Sequence, residues 1–178
     1  MKKLTVAVIS VSALTIAGLI ALAAWTIVPM LPQQAQAALV GTIDTVPGTV
    51  EELFARTGLG EFSEGSPSRV SHADVDEEYV IAATIWPWTL PPDRGFPKSR
   101  GVGDTPGHHY NGMGVRAAFS LWAKASLDAV KAGELDPGTA DHLLDEVEDA
   151  TRTLLDARVL SDARFVENSV TPLRQSEL

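Results

Sequence analysis

Residues 136–160, DPGTADHLLDEVEDATRTLLDARVL, carry the clearest structural pattern in this chain. Ala140, Leu143, Val147, Ala150, Leu154, Ala157 and Leu160 recur at steps of three and four, the spacing of one face of an α-helix. Asp136 can cap the helix start. Pro137 suits the first helical position, where its missing N–H would have had no partner anyway. The opposite face carries Asp141, Asp145, Glu148, Asp149, Arg152 and Asp156 and reads as solvated. Upstream, Val115, Phe119, Trp122, Ser126 and Ala129 form a second stripe, with Ala118 and Ala125 beside it, on a helix from about Gly114 to Ala132 that Gly133 ends. The short link between the two predicts an antiparallel hairpin, and the alanines allow close approach.

Two more helices are predicted before this pair. Thr49-Val50-Glu51-Glu52 matches a capping box, with Val50, Leu53 and Phe54 on one face and Gly58 placed as a terminator. Ser71 stands three residues before Asp74, and Asp76, Glu77 and Glu78 make an acidic first turn that a helix dipole favours. Val75, Tyr79, Ala82, Ala83 and Trp86 then come at helical spacing up to Pro87. A buried strand over residues 79–86 is the rival, because a short apolar run has no decisive period. Glu61 to Arg69, rich in Gly, Ser and Pro, reads as a loop.

From Pro87 to Gly114 proline and glycine recur too often for regular structure to persist. Long loops of this kind in compact domains are commonly functional or disordered, and Trp86, Trp88, Leu90, Phe96 and Tyr110 argue against disorder. Two uses are open for these aromatics. They can pack over the end of the hairpin, or Trp86, Trp88, Phe96 and Tyr110 can present a rigid surface to a partner.

At the N-terminus an apolar run extends from Leu4 to Met30, and no charge occurs between Lys3 and Asp44. As a helix it would rise about 40 Å, more than the roughly 30 Å hydrocarbon core of a bilayer. Lys2 and Lys3 precede the run, so the positive-inside bias keeps the N-terminus cytoplasmic and exports the rest of the chain. Ala35-x-Ala37 resembles a signal-peptidase site, so cleavage after Ala37 and secretion compete with a retained anchor. The expected organisation is a transmembrane signal-anchor or signal peptide over residues 1–37, a stalk over 38–48, a helical extracytoplasmic domain over 49–165 and a flexible tail over 166–178.

The chain has 178 residues, room for one domain beside that segment. It contains no cysteine, which excludes disulfides, thiolate metal sites and thiol catalysis. Its formal charge of -9 speaks against a nucleic-acid partner.

Reactive side chains are densest at Asp104, His108 and His109. Neutral imidazoles beside a carboxylate suit zinc or another divalent ion, although no HExxH or His-x-His spacing is present, and His72 or His142 would have to supply a third ligand. Gly112-x-Gly114-x-x-Ala117 has the letters of a dinucleotide fingerprint without the strand that must precede it. What survives is a helix start whose free N–H groups, with Arg116 nearby, could hold a carboxylate or phosphate. Asp74, Asp76 and Glu78 alternate like calcium ligands but lack the glycine and closing glutamate of such a loop. No G-x-S-x-G elbow occurs.

The fold class expected is mainly α: a transmembrane helix, then a small extracytoplasmic helical domain with a two-helix hairpin and a long Pro/Gly/Trp-rich loop. The function expected is a membrane-tethered, non-catalytic binding module or accessory subunit of a cell-envelope complex. It would contact the membrane through residues 4–30 and a protein partner through the aromatic loop, with no cofactor. The alternatives are a metal-dependent enzyme built on Asp104, His108 and His109, and a ligand carrier with a cavity lined by Trp88, Phe96 and Trp122.

Overall fold

The chain turns helical where a cap and an apolar stripe coincide. In the computed structural model, which describes residues 41–59, 69–100, 109–133, 135–162 and 164–175, helix α1 spans Val50–Thr57. The Thr49 hydroxyl accepts from the Glu52 N–H at 3.1 Å, and Gly58, at φ +69°, closes the helix in the left-handed region where only glycine is unstrained. Helix α2, His72–Thr84, starts with a reciprocal box: the Asp74 N–H donates to Ser71 Oγ and the Ser71 N–H donates to Asp74 Oδ2. Residues 79–84 are therefore helix and not strand. The cap fixes the start, and Pro87 lies three residues beyond the end.

Helix α3 spans Met113–Ala132 and α4 spans Pro137–Asp156, close to the bounds the sequence predicts. Asp136 caps α4 by accepting from the Thr139 N–H. The only strands among the described residues are two residues each, β1 (Arg69–Val70) and β2 (His109–Tyr110), paired antiparallel with Val70 opposite His109. The molecule is mainly helical. α3 is the central element: it packs on α2, its most extensive helix contact, and on α4, while α1 lies on α2.

The α2–α3 crossing is close because Gly114 has no side chain. A Cβ there would lie 2.5 Å from the Tyr79 backbone nitrogen and 2.7 Å from the Val75 carbonyl oxygen. Around the crossing, Val75, Tyr79, Ala82, Trp86, Val115, Ala118 and Trp122 are buried, and the core continues into Leu143, Val147, Ala150 and Leu154 of α4.

Two segments differ from the sequence reading. Residues 38–48 are expected as a stalk leading away, yet from Gly41 onward the chain is laced to the domain. The Lys98 N–H donates to the Gly41 carbonyl, Ile43 N–H to the Phe96 carbonyl, and Val46 N–H to the Thr84 carbonyl, while the Thr45 hydroxyl donates to the Ala83 carbonyl. Thr42 and Pro97 form an isolated bridge. Backbone pairing leaves little periodic trace in so short a stretch, so composition alone could not show it.

Residues 166–178 are expected as a flexible tail, but a π-helical turn over Val166–Val170 runs into helix α5, Thr171–Gln175. Val170 is buried, and Arg174 pairs with Asp145 and Glu148 on the acidic face of α4. Val170, with Val166 and Leu173 packed beside it on the core, and the ion pairs of Arg174 to α4 hold this segment, which no local period announces. Among the described residues no helix is long and apolar enough to cross a membrane, and residues 4–30 lie outside them.

Candidate functional site

The aromatic loop folds inward. Trp86 is fully buried and packs against Trp88 (ring centroids 5.1 Å apart), Phe96 (5.5 Å) and Trp122 of α3 (5.6 Å). Phe96 is 1% exposed and Trp88 7% exposed, so three of the four aromatics considered for a partner surface have almost no face to offer. Tyr110, half-buried in β2, lies apart from that cluster in the element order. The loop follows the packing alternative because its prolines forbid regular hydrogen bonding while its rings seek cover.

Polar latches fix the loop to α3 and α4. The Trp122 indole N–H donates to the Thr89 carbonyl at 2.8 Å, and that of Trp88 to Asp149 Oδ2 at 3.2 Å. Glu146 receives two bonds from Thr89, from its N–H at 2.9 Å and its hydroxyl at 3.1 Å. Part of the acidic face of α4, read as solvated, is thus occupied in holding the loop. Among the described residues, the space beside Phe96 and Trp122, lined also by Leu90 and Arg94, measures about 10 Å³, too little for more than one water.

The anion site suggested at the start of α3 exists, and the protein fills it itself. Gly112 is the N-cap, at φ +89°, and has no side chain to offer the first turn. Glu78 reaches across from α2, its carboxylate accepting from the Val115 N–H at 3.3 Å. Burial pushes the Glu78 pKa up, while the backbone N–H groups of Val115, Gly114 and Gly112 pull it back. The two glycines of the nucleotide-like pattern therefore serve a left-handed cap and a close helix crossing.

A second polar cluster lies where β1 leads into α2. His72 Nδ1 is 3.1 Å from Asp76 Oδ2, and Arg100, whose side chain is 10% exposed, donates from Nε to Asp76 Oδ1 at 2.6 Å. Its terminal nitrogen is 2.9 Å from His72 Nε2. The backbone of His109, opposite Val70 in the ladder, is close by in the fold. Asp104 and His108 lie outside the described residues. Among the described residues no three His, Asp or Glu side chains converge as metal ligands; His142 lies on α4 and faces Glu146 at 3.5 Å.

A cleft of about 530 Å³ runs between α3 and the segment from Leu160 to Ser169. Phe119 and Leu127 form its apolar floor, with Phe165 stacked edge-on to Phe119 at 5.6 Å. Arg116, Lys124 and Lys131 follow its length on α3. Sequence reading misses this cleft because its second wall, Leu160 to Phe165 with Asn168 and Ser169 of the expected tail, follows no periodic pattern that would place it against α3. The one available signal is the spacing of the three cations at eight and then seven residues, which keeps them on one helix face. Comparisons with protein-family models, with curated proteins and with solved structures find no match to this chain.

Proposed function

We propose that the protein is a membrane-tethered extracytoplasmic binding module, an accessory subunit of a cell-envelope assembly that binds rather than transforms its partner. The observation that carries this reading is the uncharged apolar run from Leu4 to Met30 behind Lys2 and Lys3, long enough for a bilayer. Only residues 31–40 separate that run from Gly41, where the chain is already bonded to Lys98 of the domain. Ten residues reach at most about 35 Å, so the domain would work close to the membrane surface. Cleavage after Ala37 would release the same domain and leave its surface unchanged.

The aromatic loop enters this reading as support for the binding surface, since its rings are buried. Two experiments test the reading. Protease added to intact cells should digest the region after Ala38, and detergent extraction should recover a stoichiometric partner. Protection of that region, or recovery of a lone monomer, would refute it.

A metal-dependent extracytoplasmic enzyme using Asp104, His108 and His109 is the second reading. It is favoured by one placement, the His109 backbone opposite Val70, two residues before His72. Metal analysis of untagged protein tests it: stoichiometric zinc or another divalent ion lost in the His108→Ala, His109→Ala double variant would establish this reading over the first.

A further inference from the structure

Asn111 and Gly112 join β2 to α3, and the pair carries a chemistry that neither the fold nor the proposed function uses. An asparagine side chain can react with the backbone nitrogen of the residue that follows it. That nitrogen attacks Cγ, a C–N bond forms, and the side-chain amide nitrogen leaves as ammonia, taking up the proton the backbone nitrogen gave up. Water then opens the cyclic imide at either carbonyl, which yields aspartate or isoaspartate. No oxidant or cofactor enters the balance. Asparagine is thermolabile in general, and a following glycine lacks the Cβ that hinders the approach. The chain has two asparagines, and only Asn111 precedes glycine; Asn168 precedes Ser169 within the π-helical turn.

The fold keeps the reacting nitrogen in place. Asn111, partly buried, lines a hollow of about 180 Å³ together with Asp74, Glu77 and Glu78 of α2 and Arg56 of α1, and this hollow opens to the water that the second step needs. Gly112 is the left-handed cap of α3, its carbonyl accepts the Arg116 N–H at 2.8 Å, and its own N–H faces the Glu78 carboxylate. Leu59 also confines it, since a Cβ there would lie 3.3 Å from that side chain. With both polar groups engaged, the Gly112 peptide cannot swing onto the Asn111 Cγ until Glu78 lets go. The geometry points to Asn111 as a spontaneous deamidation site that the α2–α3 junction keeps closed, with Glu78 as the positioning residue that withholds the nitrogen. Each local opening of the junction releases the pair, so the mark records time spent open. The product weakens the same junction. A carboxylate at position 111 joins Asp74, Glu77 and Glu78 around one hollow, and isoaspartate adds a methylene to the backbone between Tyr110, which pairs with Arg69, and the α3 cap. None of this depends on the binding-module reading.

The test holds the full chain in detergent micelles at physiological temperature and neutral pH, either folded or in concentrated urea. Mass spectrometry of the tryptic peptides 101–116 and 165–174 counts the conversion of amide to acid at Asn111 and Asn168, and chromatography separates isoaspartate from aspartate. Asn111 should convert in urea and at least about tenfold more slowly in the folded chain, with Asn168 lagging behind it in urea. Glu78→Gln keeps the side-chain shape but weakens the acceptor. It should speed the folded-state conversion of Asn111 several-fold and leave Asn168 unchanged, and an unaltered far-ultraviolet spectrum checks that the variant folds. Equal rates in the folded and unfolded chain, an intact Asn111 in urea, or a Glu78→Gln rate equal to that of the unsubstituted chain would overturn the assignment. A rise at both asparagines would overturn it too, because it reports general loosening and not the release of one nitrogen. The comparison of folded with unfolded chain needs no variant, so it decides the matter even where Glu78→Gln fails to fold.

Discussion

The carboxylate of Glu78 on α2 caps the amino end of α3, accepting the Val115 N–H at 3.3 Å. A helix that begins at glycine borrows its cap from a neighbour, and tertiary packing and helix initiation become one interaction. The pKa of Glu78 is raised, chiefly by burial. A carboxyl raised in the folded state stabilises the fold fully below its ordinary value of 4.5 and loses that contribution as pH rises through the folded value. Asp74 and Asp136 have the opposite sign. The Ser71 backbone N–H and hydroxyl lower the first, the Thr139 hydroxyl and N–H lower the second, and their contributions are lost as pH falls through their folded values. Urea midpoints measured across pH should therefore rise out of the acid range and then decline above about 4.5. In Glu78→Gln the decline should vanish while the acid limb remains; an unchanged decline would assign it to another group.

Gly114→Ala should weaken the α2–α3 crossing. Its Cβ meets backbone atoms of Tyr79 and Val75, which cannot rotate away as a flexible side chain would. Overpacking at a fixed backbone contact is expected to cost about 3 kcal/mol, read as a lower urea midpoint with an unchanged slope. Gly133→Ala, at φ +67° with open space around it, tests backbone strain alone and should cost less, about 1 kcal/mol.

Two tryptophans of equal burial should respond differently to loss of the indole nitrogen. Trp122 donates to the Thr89 carbonyl, whereas the Trp86 N–H has no partner among the described residues. Trp122→Phe loses a hydrogen bond to the carbonyl of an exposed residue, and Trp86→Phe removes a buried unsatisfied donor. Trp122→Phe is expected to be the more destabilising by about 1 kcal/mol, because it gives up a hydrogen bond while Trp86→Phe relieves an unpaired buried donor. Equal losses in thermal unfolding would show that ring volume alone matters at both positions.

Removing the latch on Thr89 should loosen the loop without unfolding the domain. Glu146 takes both the backbone N–H and the hydroxyl of Thr89, and bonds to a charged acceptor are worth about 1.5–3 kcal/mol each. In Glu146→Ala the Thr89 amide should exchange its hydrogen at least about tenfold faster, since about 1.4 kcal/mol corresponds to a factor of ten. Amides in the middle of α3 should keep their protection. A uniform rise across the molecule would instead mean that the latch supports global stability.

How much of the fold is legible in the sequence depends on whether the cause is local. The starts of α1, α2 and α4 come from Thr49, Ser71 and Asp136, whose side chains act within three residues of themselves, and both ends marked by Gly58 and Gly133 fall where glycine is needed. The α3 cap is half legible: the glycine-rich start points to an anion, but Glu78 lies 37 residues away from Val115, a separation no local pattern encodes. The same limit hides the lacing of Gly41 to Val46, the helical end around Val170 and hence the second wall of the cleft. For Trp86, Trp88 and Phe96 the sequence offers two uses, and only the packing of Trp122 and its neighbours decides between the two.

The lacing of residues 41–46 also sets where mechanical load enters the molecule. Tension arriving along the chain from the N-terminal side meets the Gly41–Lys98 bond first and the Ile43–Phe96 bond next, before it reaches Ala83 and Thr84 at the end of α2. Phe96 packs directly on Trp86, so a pull applied ahead of Gly41 is felt by the aromatic centre before any helix is strained.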